Sequence, residues 1–368
     1  MMSPILYGEN SLGDGTDGLG YGVLADAISC IVTEELNGIF ELHMTYPKSG
    51  VLFDEMMINR LIRVDASHLL KGQLFRIEKI ETSLSGVARI YASHVSLIIR
   101  HIPTNDLTWI AGVTPGFSDV GTAMMAVWRT SHLTPTPITT SSDFTFGSGF
   151  RAKARTTTNA KDGLAAFRES WGGDFIFNNY HIHYAAMGRG TDTGEIIAYG
   201  KNLIGFTKNE NIVDVYAGIL PMAIRESDNR RIFGGIERPA NSGHSFIDRI
   251  KEVDFTDYFR ESNIDPTAAR LRPLAETYVR ERLKTTPNIS IEIDFFEDAS
   301  LNEQGHLIGR LNLGDRLRVF FEESKEEKEA RVVRTEWDAL MGRYRRLEVG
   351  TINQRFRDGI QRIVGGGN

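Results

Sequence analysis

Residues 311–351 contain Arg316-Leu317-Arg318-Val319-Phe320-Phe321, Ala330-Arg331-Val332-Val333-Arg334-Thr335-Glu336-Trp337 and Tyr344-Arg345-Arg346-Leu347-Glu348-Val349. The first segment alternates and then runs apolar. The second is β-branched and charged in turn, and the third alternates until Gly350. Side chains on a strand point to opposite faces with a period of two. Such patterning in β-branched and aromatic residues, cut by glycine and charge clusters, predicts a three-strand antiparallel meander.

The pattern recurs at the other end of the chain, over 58–94. Ile62-Arg63-Val64 matches Leu317-Arg318-Val319, Arg76-Ile77 matches Arg331-Val332, Glu81 matches Glu336, and Arg89-Ile90 matches Arg346-Leu347. The spacing is 255 residues for the first three matches and 257 for the last, as if one connection had gained two residues. Gly86 and Gly342 each precede a third strand. Aliphatic–arginine pairs also recur by chance in strand-rich sequence, so superposition of the two regions is the test of a duplication. The expected fold is mainly β with α insertions (α+β), built on two related small β-barrels, one at each end.

At 368 residues the chain is long enough for roughly two to four domains. With 41% hydrophobic and 24% charged residues it has the composition of a globular protein. A formal charge of −6 supplies no basic footprint for a nucleic-acid surface. Cys30 is the only cysteine, which excludes an intramolecular disulfide and multi-cysteine zinc sites. Its apolar surroundings, Ile28 to Val32, predict a buried, inert thiol. No run approaches the length of a membrane span, and Met1-Met2-Ser3-Pro4 does not open a secretion signal. The expectation is a product made soluble in the cytoplasm.

Residues 5–98 read as strands. Asn37-Gly38 predicts a two-residue hairpin turn, because both central positions of that turn need positive φ. The strand after it puts Phe40, Leu42, Met44 and Tyr46 on one face and ends at Pro47. A short helix is predicted over 51–57 and another over 120–128. Residues 131–158 read as loop with one strand, 143–146. A helix over 160–171 ends at Gly172-Gly173. A hairpin follows around Asn178-Asn179, then a strand over 195–199 and extended chain over 206–238.

Residues 245–284 read as helical, with Asp265 as N-cap before Pro266 and an apolar stripe of Leu271, Leu274, Tyr278 and Leu283. Pro273 is expected to kink that helix or restart it. A strand over 289–295 leads back to the last meander. Residues 352–363 read as a short helix.

Glu34-Glu35-Leu36-Asn37-Gly38, Phe40-Glu41-Leu42 and Tyr46-Pro47 resemble the opening of the prophage tail hub family, often labelled prophage endopeptidase tail or tail-associated lysin. Gln73-Leu74-Phe75-Arg76-Ile77, Tyr199-Gly200-Lys201-Asn202-Leu203 and Leu313-Gly314-Asp315 extend the resemblance, in the family's order, over nearly the whole chain. The resemblance implies a fold similar to phage baseplate hubs and to the spike base of type VI secretion. In those proteins two related barrels per subunit form a homotrimeric ring with pseudo-sixfold symmetry. The implied division is a first barrel at 1–98, a mixed α/β middle domain at 99–205 and a second barrel in two parts, 206–243 and 288–352. A helical insertion at 244–287 would separate those parts, with a tail at 353–368.

The implied role is structural: a virion component of the tail tip, joining the hexameric tail tube to the tip and letting DNA pass. Implied partners are the distal tail protein ring, the tape measure protein, and receptor-binding or tip proteins. The family's endopeptidase label is not carried over, because the second barrel is expected to end near residue 352 and no lytic segment is expected behind it.

His181-Ile182-His183 has a spacing that metals use, with Asp174 or His43 as a conceivable third ligand, but surface strand histidines are common. Gly188-Arg189-Gly190 with Gly194 lies between strands and opens no helix, so a hairpin loop is expected rather than a phosphate site. Glu322 to Glu329 is a charged run whose expected form is a solvated hairpin loop. Phe144, Phe146, Trp171 and Tyr180 would serve a glycan- or receptor-binding module, the alternative reading beside a cell-wall hydrolase. No nucleophile elbow, zinc-protease helix or phosphate-binding loop motif occurs. No catalytic, cofactor-binding or metal residue is therefore assigned.

Overall fold

The computed structural model describes residues 3–11, 18, 20–102, 108–110, 137–143, 151–153, 159–198, 205–211, 215–239, 249–283, 288–294, 311–321 and 326–351. The strands of the first half are β1 (Ile5–Tyr7), β2 (Gly22–Val23), β3 (Ser29–Glu35), β4 (Phe40–Pro47), β5 (Leu61–Val64), β6 (Gln73–Thr82), β7 (Val87–His94), β8 (Thr108–Ile110), β9 (Thr139–Ser142) and β10 (Arg151–Lys153). Then come β11 (Asp174–Asn178), β12 (His181–Ala185), β13 (Asp192–Ala198), β14 (Gly205–Asn211), β15 (Gly218–Arg225), β16 (Arg230–Phe233), β17 (Ile250–Asp254), β18 (Asn288–Asp294), β19 (Arg316–Phe321), β20 (Glu326–Asp338) and β21 (Arg343–Thr351). The helices are α1 (Ala160–Trp171), α2 (Thr256–Ser262) and α3 (Ala268–Glu281), with a 3-10 segment at Val95–His101.

The two meanders correspond in register until β20 slips a second time against β21, between Glu336 and Trp337. In the first, Leu61, Ile62, Arg63 and Val64 pair with Arg76, Phe75, Leu74 and Gln73. In the second, Arg316, Leu317, Arg318 and Val319 pair with Arg331, Ala330, Glu329 and Lys328. A shift of 255 residues converts one register into the other. The next ladder repeats as well, since Ile77↔Ala92 and Ile80↔Ile90 become Val332↔Val349 and Thr335↔Leu347. Both ladders slip at the same place, between Ile77 and Lys79 and between Val332 and Arg334. Even the approach matches: Ile77 N donates to Arg60 O and Val332 N to Asp315 O, each at 2.9 Å. Chance aliphatic–arginine pairs do not share a bulge, and a bulge is a built feature of a strand pair.

The repeat is wider than the meander. One sheet runs β14-β18-β21-β20-β3-β4-β7-β6-β5-β1-β2, with β13 paired to β19 and β19 to β20. Within it, β3-β4-β7-β6-β5 and β14-β18-β21-β20-β19 have the same order. The halves meet where Arg334 to Asp338 of β20 pair antiparallel with Glu35 to Ile31 of β3. Among the described residues this path is open, so the structure holds one continuous sheet where two closed barrels were expected. The reason is that β20 outruns β19: its second half has an edge left over, and β3 takes it.

Alternation dictates the core. Phe40, Leu42, Met44 and Tyr46 are buried along β4, with Leu74, Phe75, Ile77, Ile90 and Ala92 on the strands that follow. Each such large side chain contributes roughly 1.5–3 kcal/mol on burial. The Asn37-Gly38 hairpin forms, but only Asn37 has positive φ (59°), and Glu35 N closes the loop on Ile39 O at 2.8 Å. Residues 51–57 form turns instead of a helix. The helix foreseen over 120–128, the strand core of 143–146 beyond Asp143, and the 352–363 tail lie outside the described residues.

Contacts divide the chain into Met1–Thr207 with Ile291–Ile352, and Lys208–Ser290 with Asn353–Asn368. The second unit has its own sheet, in the order β16-β15-β17. Its core joins Ile219 to Ala275, Val279 and Leu283, and Ala223 to Phe259 and Leu271. The region read as helical from 245 therefore includes a strand, β17. The N-cap of α3 is Thr267, whose side chain accepts from Arg270 N, rather than Asp265. The helix runs through Pro273 without restarting. Pro273 removes the one hydrogen bond its position would give to Ala269 O, and the packing of the Leu271–Ala275–Val279 face on the sheet outweighs that loss.

Candidate functional site: the seam between the two repeats

At the β3–β20 seam a set of buried charges replaces the apolar contacts found elsewhere in the sheet. Glu34 on β3 is 2% exposed and accepts from Arg189 at 2.5 and 3.2 Å. Burial lowers the guanidinium's affinity for its proton, but Glu34 outweighs that and holds Arg189 above the ordinary arginine value. Asp174, at the start of β11, is also buried. Its carboxylate accepts from Asn37 Nδ2 and Arg189 N, each at 2.7 Å, and from Arg331 of β20. Arg331 also donates to Gly314 O at 2.8 Å and to Arg189 O at 2.5 Å. Every buried charge thus has a counter-charge and hydrogen bonds, the condition for keeping it there.

Backbone contact completes the seam. Gly190 (φ +87°) lies against Gly314 (φ +91°), so close that a Cβ on Gly190 would stand 2.2 Å from Gly314 C. Asp315 then accepts from Thr191 N at 2.8 Å and from Asn312 N at 2.7 Å. Trp337, 1% exposed, packs edge-on against Tyr344 (5.0 Å) and His68 (4.6 Å). Burial first, and Glu34 second, push the Tyr344 hydroxyl's pKa up, so it stays protonated.

The β11–β12 hairpin ties both repeats. At one end Asn37 Oδ1 accepts from Phe175 N at 2.7 Å. At its turn, Asn179 Oδ1 accepts from Leu74 N at 2.8 Å, and Asn178 Oδ1 accepts from Gln73 Nε2 at 2.9 Å. Gln73 Oε1 faces His94 Nε2 at 3.1 Å, while His94 Nδ1 lies 2.7 Å from Ser96 Oγ. Gln73 Nε2 is committed to Asn178 Oδ1 and Lys71 O, so Gln73 Oε1 accepts and His94 carries its proton on Nε2.

Burial pushes His94 down to about 3 from 6.5. The unfolded chain therefore binds the extra proton between those pH values. Stability is complete above about pH 6.5 and falls toward pH 3, by up to about 1.4 kcal/mol per pH unit. Denaturation midpoints across that range should show the slope, and His94→Gln should remove about one proton's worth of it. An unchanged slope in the variant would assign the pH dependence elsewhere.

The candidate residues from the sequence end up in other roles. His181 bonds Thr139 and Ser141, and His183 bonds Ser141, all at 2.8 Å. His43 bonds Glu41, and Asp174 belongs to the seam, so neither completes a site with the histidine pair. Among the described residues no cluster of three or more His, Cys, Asp or Glu is spaced for a metal ion. Gly188-Arg189-Gly190 is the seam's docking loop. Glu326 to Glu329 lie in β20, paired to β19, and are not a hairpin loop; 322–325 lie outside the described residues. Tyr180 is buried, which removes it from an exposed aromatic surface. Phe144, Phe146 and Tyr199 to Leu203 lie outside the described residues. Cys30 is buried and its thiol is pushed up by burial.

The chain is thus built of two β repeats with matching meanders, fused strand to strand and clamped by a polar hairpin. No family model matches the sequence, and no curated protein does either. Solved structures do match. The prophage tail protein gp18 of Listeria monocytogenes EGD-e has a TM-score of 0.60 at 12% identity, over 99% of both chains. The 43 kDa tail protein of prophage MuSo2 from Shewanella oneidensis has 0.61 at 12%, over 98% of this chain and 100% of that one. The tail protein from Neisseria meningitidis MC58 has 0.57 at 9%, over 98% and 99%. The fold is that of prophage tail proteins, the class the sequence resemblance indicated.

Proposed function

We propose that the chain is a structural hub of a phage tail tip, three copies of which form a ring between the hexameric tail tube and the tip. The observation that carries this is the duplication: two five-strand units with the same strand order, whose meanders share a register and a bulge, fused through β20 and β3. Three such chains present six equivalent surfaces to a sixfold partner, a closed cyclic arrangement. The repeat halves are assigned to residues 29–94, and to 205–211 with 288–351. The solved tail proteins of the same fold support the reading. In it, the ring meets the distal tail protein on the tube side, receives the end of the tape measure protein, carries receptor-binding or tip proteins and passes DNA through its centre.

Sedimentation over a wide concentration range, with imaging of the particles, tests the proposal. Trimeric rings with six similar lobes are expected. A chain that stays monomeric at all concentrations, with or without the tube-side ring, would overturn it. Clearing of purified peptidoglycan by the pure protein, abolished by one carboxylate or histidine substitution, would favour a cell-wall hydrolase instead.

A further inference from the structure

The repeat leaves one strand edge without its counterpart. In the second repeat, the half of β20 that outruns β19 is covered by β3: Leu36 N donates to Val333 O and Ala339 N to Cys30 O, both at 2.9 Å. Thr335, Trp337 and Ala339 are buried there. In the first repeat, the matching half of β6 outruns β5, which pairs only with Gln73 to Arg76. Lys79, Glu81 and Thr82 are exposed, and Leu84 at the hairpin tip is fully so. Among the described residues no strand covers this edge.

Parity fixes what the edge offers. Ser83 N donates to Val87 O, so odd-numbered residues of β6 bond to β7 and Ile80 and Thr82 direct their backbone groups outward. The strand occupying β3's place in the other repeat is β14, at the far end of the sheet order, with β18 as its one partner among the described residues.

We infer that β14 of a second copy of this chain pairs antiparallel with Lys79 to Thr82 of β6, repeating between copies the β3–β20 seam made within one. The inference rests on the assembly proposed above and names its interface. The repeat names the two strands, and the charges select the register. It sets Lys79 opposite Glu210, Ile80 opposite Asn209, Glu81 opposite Lys208 and Thr82 opposite Thr207. Lys79 holds the place of Arg334, which pairs with Glu35 across the internal seam at 2.9 Å. In the register proposed, Glu210 holds the place of Glu35. Opposite charges directly across a ladder favour this register, and a slip of one residue turns every side chain to the other face. The contact is head to tail, because each copy gives β6 to one neighbour and β14 to the other, and it must close into a ring or run on as a filament.

Cysteine pairing tests the register directly. Glu81 and Lys208 would form a non-hydrogen-bonded pair with Cα atoms about 4.5 Å apart, a separation that a disulfide spans. The full chain carrying Glu81→Cys and Lys208→Cys should oxidise to a covalent series ending at trimer, while either substitution alone should not cross-link. The native Cys30 is buried and does not compete. Lys79→Glu should weaken assembly at least tenfold, and adding Glu210→Lys in the same chain should restore it. Trimers that form without this cross-link, and are indifferent to Lys79→Glu, would overturn the interface while leaving the hub proposal standing. A chain that neither assembles nor cross-links would overturn both, leaving Lys79 and Glu81 as charges that guard a solvent-exposed edge.

Discussion

Gly190→Ala should cost more than about 3 kcal/mol of stability, the range reserved for substitutions that break a tightly packed seam. A methyl there meets Gly314 C at 2.2 Å and Asp315 N at 2.4 Å, both backbone atoms with no flexible end to give way. The two loops must separate, and the Asp315–Thr191 and Arg331–Gly314 hydrogen bonds separate with them. Gly194→Ala is the control. Gly194 also has positive φ (+68°), but nothing lies within 4 Å of the added Cβ, so its cost should be only the left-handed strain of about 1–2 kcal/mol. Urea midpoints of the two variants decide the matter. Equal losses would mean that the close approach of residues 190 and 314 does not hold the fold.

Arg189→Met should cost about 3–5 kcal/mol, because it leaves Glu34 buried without its cation. The size follows from desolvation: a carboxylate in a low-dielectric site either loses its proton partnerships at high cost or takes up a proton. Glu34→Leu combined with Arg189→Met should recover much of the stability, since an apolar pair of similar volume often replaces a buried ion pair at little cost. A double variant no better than the single one would show that the pair's geometry, and not the stranded charge, matters. The ion pair joins β3 to the docking loop beside the β3–β20 ladder.

Much of the fold could be read from residue patterns because strand alternation is local. Phe40, Leu42, Met44 and Tyr46 are buried as their spacing requires, and the 255-residue offset proved to be a true register. The bulge at Glu78 and Val333 carried no signal of its own. It lies at the same place in both copies and leaves the 255-residue offset unchanged on either side, so only the ladder slip reveals it. The helix over 160–171 was marked by its closing glycines. Asp265 is not the cap because Thr267, two residues on, takes the extended cap geometry, and the helix does not restart at Pro273 because packing on a sheet can outweigh a missing helix hydrogen bond.

The charge cluster was not legible. Glu34 and Arg189 lie 155 positions apart, and Asp174 and Arg331 lie 157 apart. In sequence each looks like an ordinary solvent-facing charge on a strand or in a loop. Glycines flanking Arg189 and preceding Asp315 were the only hint that two loops approach closely there. The sequence by itself determined the buried face of β4 and the existence of two equivalent meanders, since a period of two and a repeated offset are properties of the chain. Tertiary structure decided that β20 would give its spare edge to β3 and that charges would fill the junction. Which edge meets which, and which carboxylate is stripped of water, depends on segments brought together only when the sheet forms.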